Sequence, residues 1–478
     1  FTIHEGERVI VSSVVIRGAR RTREAVIRRR IALEVDQPYR RSLVRKTEER
    51  LALLGVFSGI VIELEGPTVP ERRKTVVITL QEKAPQYVEP RLGFSTGEGP
   101  RVAFEYGHLD LGGLAMQLRT RVELNYLFDF LIAEDDVRAK FVELREREGI
   151  AARLERQLSV AVEFPDVGLS PLFRLGVEGL SLRDNSRDYG ISKSAALVTL
   201  MYRPSRRVSA QLGPSLELND AGIFGVEEKG SLAAYVREHP GRARLFRVPE
   251  GRSVAFAQQV SAAWDRRDDP LAATRGTFLG TRVEHVRAVP DDELDELFRL
   301  DRPPTTVADA GVFDAVVSDF FRITSRAAGY VPFGGEGTSL ALSLGWGVNV
   351  QRFPGSQTYP DRLFTLGGVD SLRGFLQDSL VPEDIAQQLL DPSAELTIDQ
   401  VVVRGGDFFV NPRTELRVPL LPGTIETALF VDAGNLWTDA ARVELASALD
   451  PTGLRYTAGT GLRVSTPIGP LVFDYGLN

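Results

Sequence analysis

Few side chains in this sequence have the types and spacing for covalent chemistry. There is no cysteine, hence no thiolate nucleophile, disulfide framework or thiolate metal site. The four histidines, His4, His108, His239 and His285, are scattered without ligand spacing, which argues against zinc. No GxSxG elbow, Walker loop or HExxH helix occurs. The acidic run "PDDELDELFRL" (Pro290–Leu300) reads as a short helix in a loop rather than a catalytic carboxylate cluster, since no second feature supports catalysis. We therefore expect no enzyme, no catalytic residue, no metal and no cofactor. What remains is ionic chemistry. Arg373 stands in "LGGVDSLRGF" (Leu366–Phe375), between Leu372 and the pair Gly374–Phe375, within a long segment rich in Gly, Asp and Pro. A guanidinium makes charge-assisted, often bidentate bonds to carboxylates. Taken alone, a loop arginine is most simply solvent-exposed.

The elements that would position it fall into two parts. A length of 478 residues suggests more than one domain. Residues 1–85 hold 17 basic against 11 acidic groups, about +6, whereas the whole chain is −7. The break near "EKAPQYVEP" (Glu82–Pro90) marks a domain boundary. Before it, "VIVSSVVIRG" (Val9–Gly18) is a strand ending in a turn glycine. "RTREAVIRRRIA" (Arg21–Ala32) reads as a helix with Ala25, Ile27 and Ile31 inward. "RSLVRKTEERLALLG" (Arg41–Gly55) places Leu43, Thr47, Leu51 and Leu54 on one helical face, with Gly55 as its stop. Two strands follow, Phe57–Gly66 and Thr75–Lys83, giving β-α-α-β-β. The cluster Arg20, Arg21, Arg23, Arg28, Arg29 and Arg30 reads first as a solvated helix face, and second as a surface for anionic headgroups or acidic partners.

From Val88 onward the pattern alternates with period two. Met116, Leu118, Val122, Leu124, Tyr126 and Phe128 share one face, against Gln117, Arg119, Arg121, Glu123 and Asn125. Leu340, Leu342, Leu344, Trp346, Val348 and Val350 oppose a face stripped to Ser, Ala, Gly and Asn. No run of 18 apolar residues exists, which excludes a transmembrane helix, but a transmembrane strand needs only about 9–11 residues. About fifteen such strands can be traced by this alternation. Every second connection is short ("LGG", "PSR", "LLPG", "TPIG"), and the intervening ones are mostly long, at 129–152, 219–251, 287–317, 353–407 and 438–456. Short turns on one side and long loops on the other are the signature of an outer-membrane up-and-down barrel.

Three stretches of the first part, "SSVVIRGARRT", "LLGVFSGI" and "TVVITLQEKAP", resemble a POTRA domain. The opening "FTIHEGERV" resembles the end of a preceding one. The implied division is 1–8 as the end of a preceding POTRA domain, 9–85 as a POTRA domain and 86–478 as the barrel. The remainder resembles the BamA/TamA family of outer-membrane assembly proteins, more TamA-like than not. The words that carry this are "RLFTLGGVDSLRGF" (Arg362–Phe375), "DRRDDPLAATRG" (Asp265–Gly276), "NPRTELRVPL" (Asn411–Leu420), "LFVDAGNLW" (Leu429–Trp437) and "GTGLRVSTPIGPLVFDYG" (Gly459–Gly476). In that family the sixth outer loop folds into the lumen and its arginine meets wall carboxylates. The resemblance implies that Arg373 is that arginine and that Glu415 and Asp432 are its partners. Alternation agrees: Leu416, Val418, Leu429 and Val431 face lipid, so Glu415 and Asp432 face inward.

The implied function is insertion or assembly of outer-membrane β-barrel proteins, or autotransporter translocation, by a POTRA domain and a lateral seam that receives client strands. The alternative is a two-partner secretion pore exporting a dedicated partner through the lumen. Expected partners are client barrels or autotransporters, outer-membrane lipids, and periplasmic or inner-membrane accessory proteins, with no nucleic acid. The expected location is the outer membrane of a Gram-negative cell, with the POTRA domain in the periplasm. The resemblance also implies a sixteen-stranded barrel with one more strand after the C-terminal hairpin. The final strand is therefore expected to be missing, by truncation or an incomplete gene. A gap is expected between strand one (Pro90, Leu92, Phe94) and the last strand (Leu471, Phe473, Tyr475). Pro90 has no donor, and Gly93 and Gly97 weaken pairing.

Overall fold

The computed structural model describes residues 8–66, 69, 71–95, 99–165, 167–186, 189–205, 207–240, 250–270, 272–299, 313, 317–335, 337–398, 401, 404–421, 423–443, 450–466 and 469–478. In the first part, β1 (Ile10–Arg17) runs parallel to β3 (Arg73–Glu82), and β2 (Phe57–Leu64) pairs antiparallel on its other side. Val76, Ile78 and Leu80 alternate inward on β3. They meet Ile27 from α1 (Glu24–Arg28) and Leu51 and Leu54 around α2 (Arg41–Ala52), forming one apolar core. Thr47 is buried on the α2 face with Leu51, its hydroxyl donating to the Leu43 carbonyl at 2.9 Å. The expected helix over Arg21–Ala32 is much shorter. Val26 and Ile27 are its buried residues, Ala25 is exposed and Ile31 only half-buried. The chain leaves the helix at Arg29, and Arg30 turns away to a partner outside the domain.

That partner is the second sheet. Among the described residues it has fifteen strands: β4 (Gln86–Ser95), β5 (Gly99–Leu111), β6 (Met116–Asn125), β7 (Glu155–Phe164), β8 (Phe173–Asn185), β9 (Tyr189–Tyr202), β10 (Val208–Ile223), β11 (Gly251–Asp265), β12 (Gly276–Pro290), β13 (Ser318–Pro332), β14 (Ser339–Gln351), β15 (Phe408–Leu421), β16 (Ile425–Trp437), β17 (Arg455–Thr466) and β18 (Gly469–Leu477). Each pairs antiparallel with its sequence neighbours, β4 to β18 in unbroken order. Apolar residues point outward strand after strand: Leu124, Leu342, Leu344, Leu429 and Val431 are exposed, while Ser339, Asn349, Glu415 and Asp432 are buried on the inner face. That is a polar interior inside an apolar wall, the inverse of a soluble core. Inside, aromatic rings lie on glycines. A Cβ at Gly107 would sit 2.1 Å from the Tyr87 ring, and one at Gly459 would sit 2.4 Å from Phe430.

The first domain docks on the short turns at one end of the barrel. Buried Arg30 donates to the Pro171 carbonyl at 2.9 Å and to that of Pro165, both in the β7–β8 turn. Its expected place on a solvated face is thus corrected: bare carbonyls of the turn supply the acceptors that water would have. Gln117 donates to the Leu54 carbonyl at 3.0 Å, and Arg174 to that of Leu53. These are the free carbonyls at the C-terminus of α2, where a cation also suits the helix dipole. Thr22 bonds Asp110 at 3.0 Å, and Arg23 N–H donates to Gly113 O at 2.8 Å.

The long connections emerge at the opposite end. One holds a helix over Asp135–Glu148, another a helix over Val226–Glu238, and the longest, between β14 and β15, a helix over Glu383–Leu390. The run Pro290–Leu300 forms only a 3-10 turn at Leu294–Glu296, not the expected helix. Buried Arg287 takes the Glu296 carbonyl at 2.9 Å, an acceptor a longer helix would need. Leu300 and most of the loop beyond it lie outside the described residues.

Candidate functional site: an arginine held on the lumen wall

The β14–β15 connection turns back into the barrel. Leu372, fully buried, packs with Leu366, Leu380 and Leu436, and Phe375 covers this cluster. With both neighbours anchored, Arg373 has little freedom. Its side chain is 3% exposed. Nε and Nη2 grip the two oxygens of Asp432, each at 2.8 Å, a bidentate fork. Nη1 donates to Glu415 at 2.8 Å and to Asp474 at 3.0 Å. The Arg373 N–H adds a 3.3 Å bond to Asp432. The guanidinium also stacks on the Phe430 ring, 3.4 Å from its centroid, and Phe430 in turn rests over Gly459. Burial opposes the charge on Arg373, but the hydrogen bonds it donates to Asp432 and Glu415 outweigh it and hold the guanidinium above its ordinary basicity.

The wall is a network rather than a pair. Arg413 meets Asp432 at 3.1 Å, and Arg417 and Arg463 meet Glu415 at 2.7 and 3.0 Å. Arg413 also donates to the Asp370 carbonyl, tying the loop again to β15. The structure thus brings Arg373, Glu415 and Asp432 together. Asp474, Arg413 and Arg463 went unread in the sequence. Alternation had the signal for Asp474: Leu471, Phe473 and Tyr475 face outward, so Asp474 between them faces in.

Gly374 lies against the last strand. A Cβ there would be 2.9 Å from the Leu477 backbone carbon and 3.0 Å from Thr457 Cβ; one at Gly476 would be 2.9 Å from the Arg373 carbonyl carbon. Close approach of two backbones demands both glycines; neither has a positive φ. The loop motif is therefore in direct contact with β18, an edge of the sheet. Among the described residues no ladder joins β18 to β4. Leu92, Phe94, Leu471, Phe473 and Tyr475 are exposed on the outer faces of these edges, and Pro90 stands on β4 opposite Phe104. Beside the loop the lumen keeps a cavity of about 760 Å³, reached by Arg282, Arg326, Ser343 and Arg413.

A family model described as the Omp85 superfamily domain matches residues 152–478, and one described as a surface antigen variable number repeat, the POTRA model, matches residues 9–83. The chain is 22% identical to the outer membrane protein assembly factor BamA of Neisseria meningitidis serogroup B over 99% of this chain and 54% of that protein, so it spans about half the length of this curated relative. Its fold is similar to the crystal structure of BamA from Haemophilus ducreyi lacking POTRA domains 1–3, with a TM-score of 0.67 and 18% identity over 98% of this chain and 81% of that one. It is also similar to CdiB from Acinetobacter baumannii, with a TM-score of 0.52 and 12% identity over 98% and 71% of the two chains.

Proposed function

The chain belongs to the Omp85 superfamily, and from that premise we propose that it assembles or inserts β-barrel proteins in the outer membrane through the edge pair β4 and β18. The barrel lies in the outer membrane and the POTRA domain in the periplasm. The observation that carries the reading is the pairing of a sheet edge that, among the described residues, bonds no further strand with an internal latch that touches it: Arg373 and Gly374 contact β18 itself. A sheet edge presents a row of free N–H and C=O groups, a template for strand addition. In lipid each such group is costly unless paired, so a client strand that pairs there is stabilised as it enters. Glu415 and Asp432 hold the loop, and Leu372 and Phe375 seat it. Pro90, Leu92, Phe94, Leu471, Phe473 and Tyr475 form the two lips of the seam. Client barrels or autotransporters and the surrounding lipid are the partners this reading implies; periplasmic or inner-membrane accessory proteins are compatible with it but not required by it.

One observation favours the second reading, export of a dedicated partner through the lumen: the loop leaves a cavity of about 760 Å³. Depletion separates the two. Assembly predicts loss of many outer-membrane proteins together; export predicts an intact outer-membrane proteome and one missing secreted partner, and that result would overturn the first reading.

A further inference from the structure

The loop that carries Arg373 has a second buried ionic anchor, well before the motif, on the other side of the lumen. Arg362 Nη2 donates to Glu217 of β10 at 2.6 Å. Lys193 of β9 meets the other Glu217 oxygen at 3.1 Å and also pairs with Asp361. Tyr189 of β9 donates to the Pro360 carbonyl at 3.1 Å, and Tyr359 to Glu217 at 3.4 Å. The Arg362 carbonyl accepts from Asn349 at 3.0 Å and from Arg322. Tyr359, Glu217 and Lys193 are all buried. Charges placed this deep are stable only when paired, and here the loop charges Asp361 and Arg362 are paired with Lys193 and Glu217 of the barrel wall as well as with each other.

The two guanidiniums grip different walls. Arg362 holds β10 through Glu217, with Pro360 and Asp361 beside it held by β9, while its carbonyl is held by β13 and β14; Arg373 holds β15, β16 and β18. In the sheet order β10 and β16 are six steps apart. The stretch between the anchors is stiff. Phe364 and Gly406 exchange two backbone bonds at 2.8 and 2.9 Å, Leu380 N–H bonds Leu366 O at 3.1 Å, and Gly368 N–H bonds Phe375 O at 3.0 Å. A stiff segment fixed at both ends across a hollow barrel is a brace.

We propose that Arg362 is a positioning residue: with Glu217 it fixes the far end of a brace whose near end, Arg373, holds the edge strand β18, so the opposite wall sets the width of the seam. This rests on the seam reading above. Two anchors in series have a property that two independent stabilising sites lack. Releasing either end releases the whole brace, so the second release adds nothing.

The test places spin labels on outward positions of the two edges, Val88 and Tyr475, in the full chain reconstituted in lipid. Distances are read for the parent, Arg362→Ala, Arg362→Lys, Arg373→Ala and the double alanine variant. A heat-shifted mobility on gels selects folded barrels. The expected result is one narrow distance population in the parent, lost in each alanine variant, with the double variant no broader than either single one. Arg362→Lys should recover part of the narrow population, since an ammonium still reaches Glu217. An unchanged distance in Arg362→Ala overturns the brace, as does additive broadening in the double variant. If Arg362→Ala does not fold, Glu217→Gln, which keeps the side-chain shape, is read in its place. A seam that widens as expected while client insertion in the same vesicles stays unchanged upholds the brace and removes the assembly reading instead.

Discussion

Arg373 is the residue on which the lumen site turns, and its partners differ in worth. Removing one member of a buried ion pair typically costs about 3–5 kcal/mol, because the other charge stays desolvated. For Arg373→Ala we expect the lower end, about 3 kcal/mol, because Arg413 still meets Asp432 and Arg417 and Arg463 still meet Glu415. Urea unfolding of the reconstituted barrel measures it, with assembly activity falling in parallel. Asp432→Ala should cost more than Asp474→Ala. Asp432 is fully buried and takes the bidentate fork, whereas Asp474 is partly exposed and takes one bond. Equal costs would contradict the ranking. Gly374→Ala should displace β18, because its Cβ would meet the Leu477 backbone rather than a yielding side chain. Glu415 and Asp432 were legible as partners of Arg373 through the family resemblance, and the period-two rule that sorts strand residues to a face showed independently that both point inward. Asp474 obeys the same rule and needed only its application to the last strand. Arg30 and Arg362 were not legible as buried groups: their acceptors lie far along the chain, in the β7–β8 turn and on β10, and no local pattern signals a contact of that span.

Among the elements, the barrel strands were the most legible: alternation traced about fifteen, and the described residues form a sheet of fifteen. The short helix at Glu24–Arg28 was the least, because Arg28, Arg29 and Arg30 read as solvated helix residues until a docking partner claims Arg30. Outward and inward positions on β14 give a direct check. Leu342→Arg near the membrane midplane should cost roughly 2–4 kcal/mol, while Ser343→Arg, which points at the lumen cavity, should be tolerated. Equal tolerance in a lipid refolding titration would count against a membrane barrel. In the POTRA domain, Glu82 on β3 receives the N–H groups of Thr22 at 2.9 Å and Arg21 at 3.0 Å. Burial alone would raise its pKa, but those donors outweigh it and hold the carboxyl below its usual range. A depressed folded pKa means the contribution is full above the unfolded value, about 4.3, and disappears as pH falls through the folded value. Hydrogen exchange at the Arg21 and Thr22 amides, corrected for intrinsic rate, should therefore lose protection in that acid window. Glu82→Gln should show no such step.

At the scale of the whole molecule, the POTRA domain holds one end of the barrel while the lumen loop meets the edge strand β18 inside it. The domain is fixed to the turns at one end through Arg30, Gln117 and Arg174. The loop enters the lumen and touches β18 at Arg373 and Gly374. A client strand that pairs with β4 or β18 would meet an edge whose position the rest of the barrel controls. The direct measurement is site-specific photocrosslinking during assembly of a client barrel. Probes are placed on the edges at Val88 and Tyr475, on the lipid face of a mid-barrel strand at Val283, and in the lumen at Arg282 and Ser343. The account expects client adducts at Val88 or Tyr475, formed through the client's terminal strand, and none at Val283. Adducts concentrated at Arg282 and Ser343, with none at either edge, would contradict it and place the moving chain in the lumen.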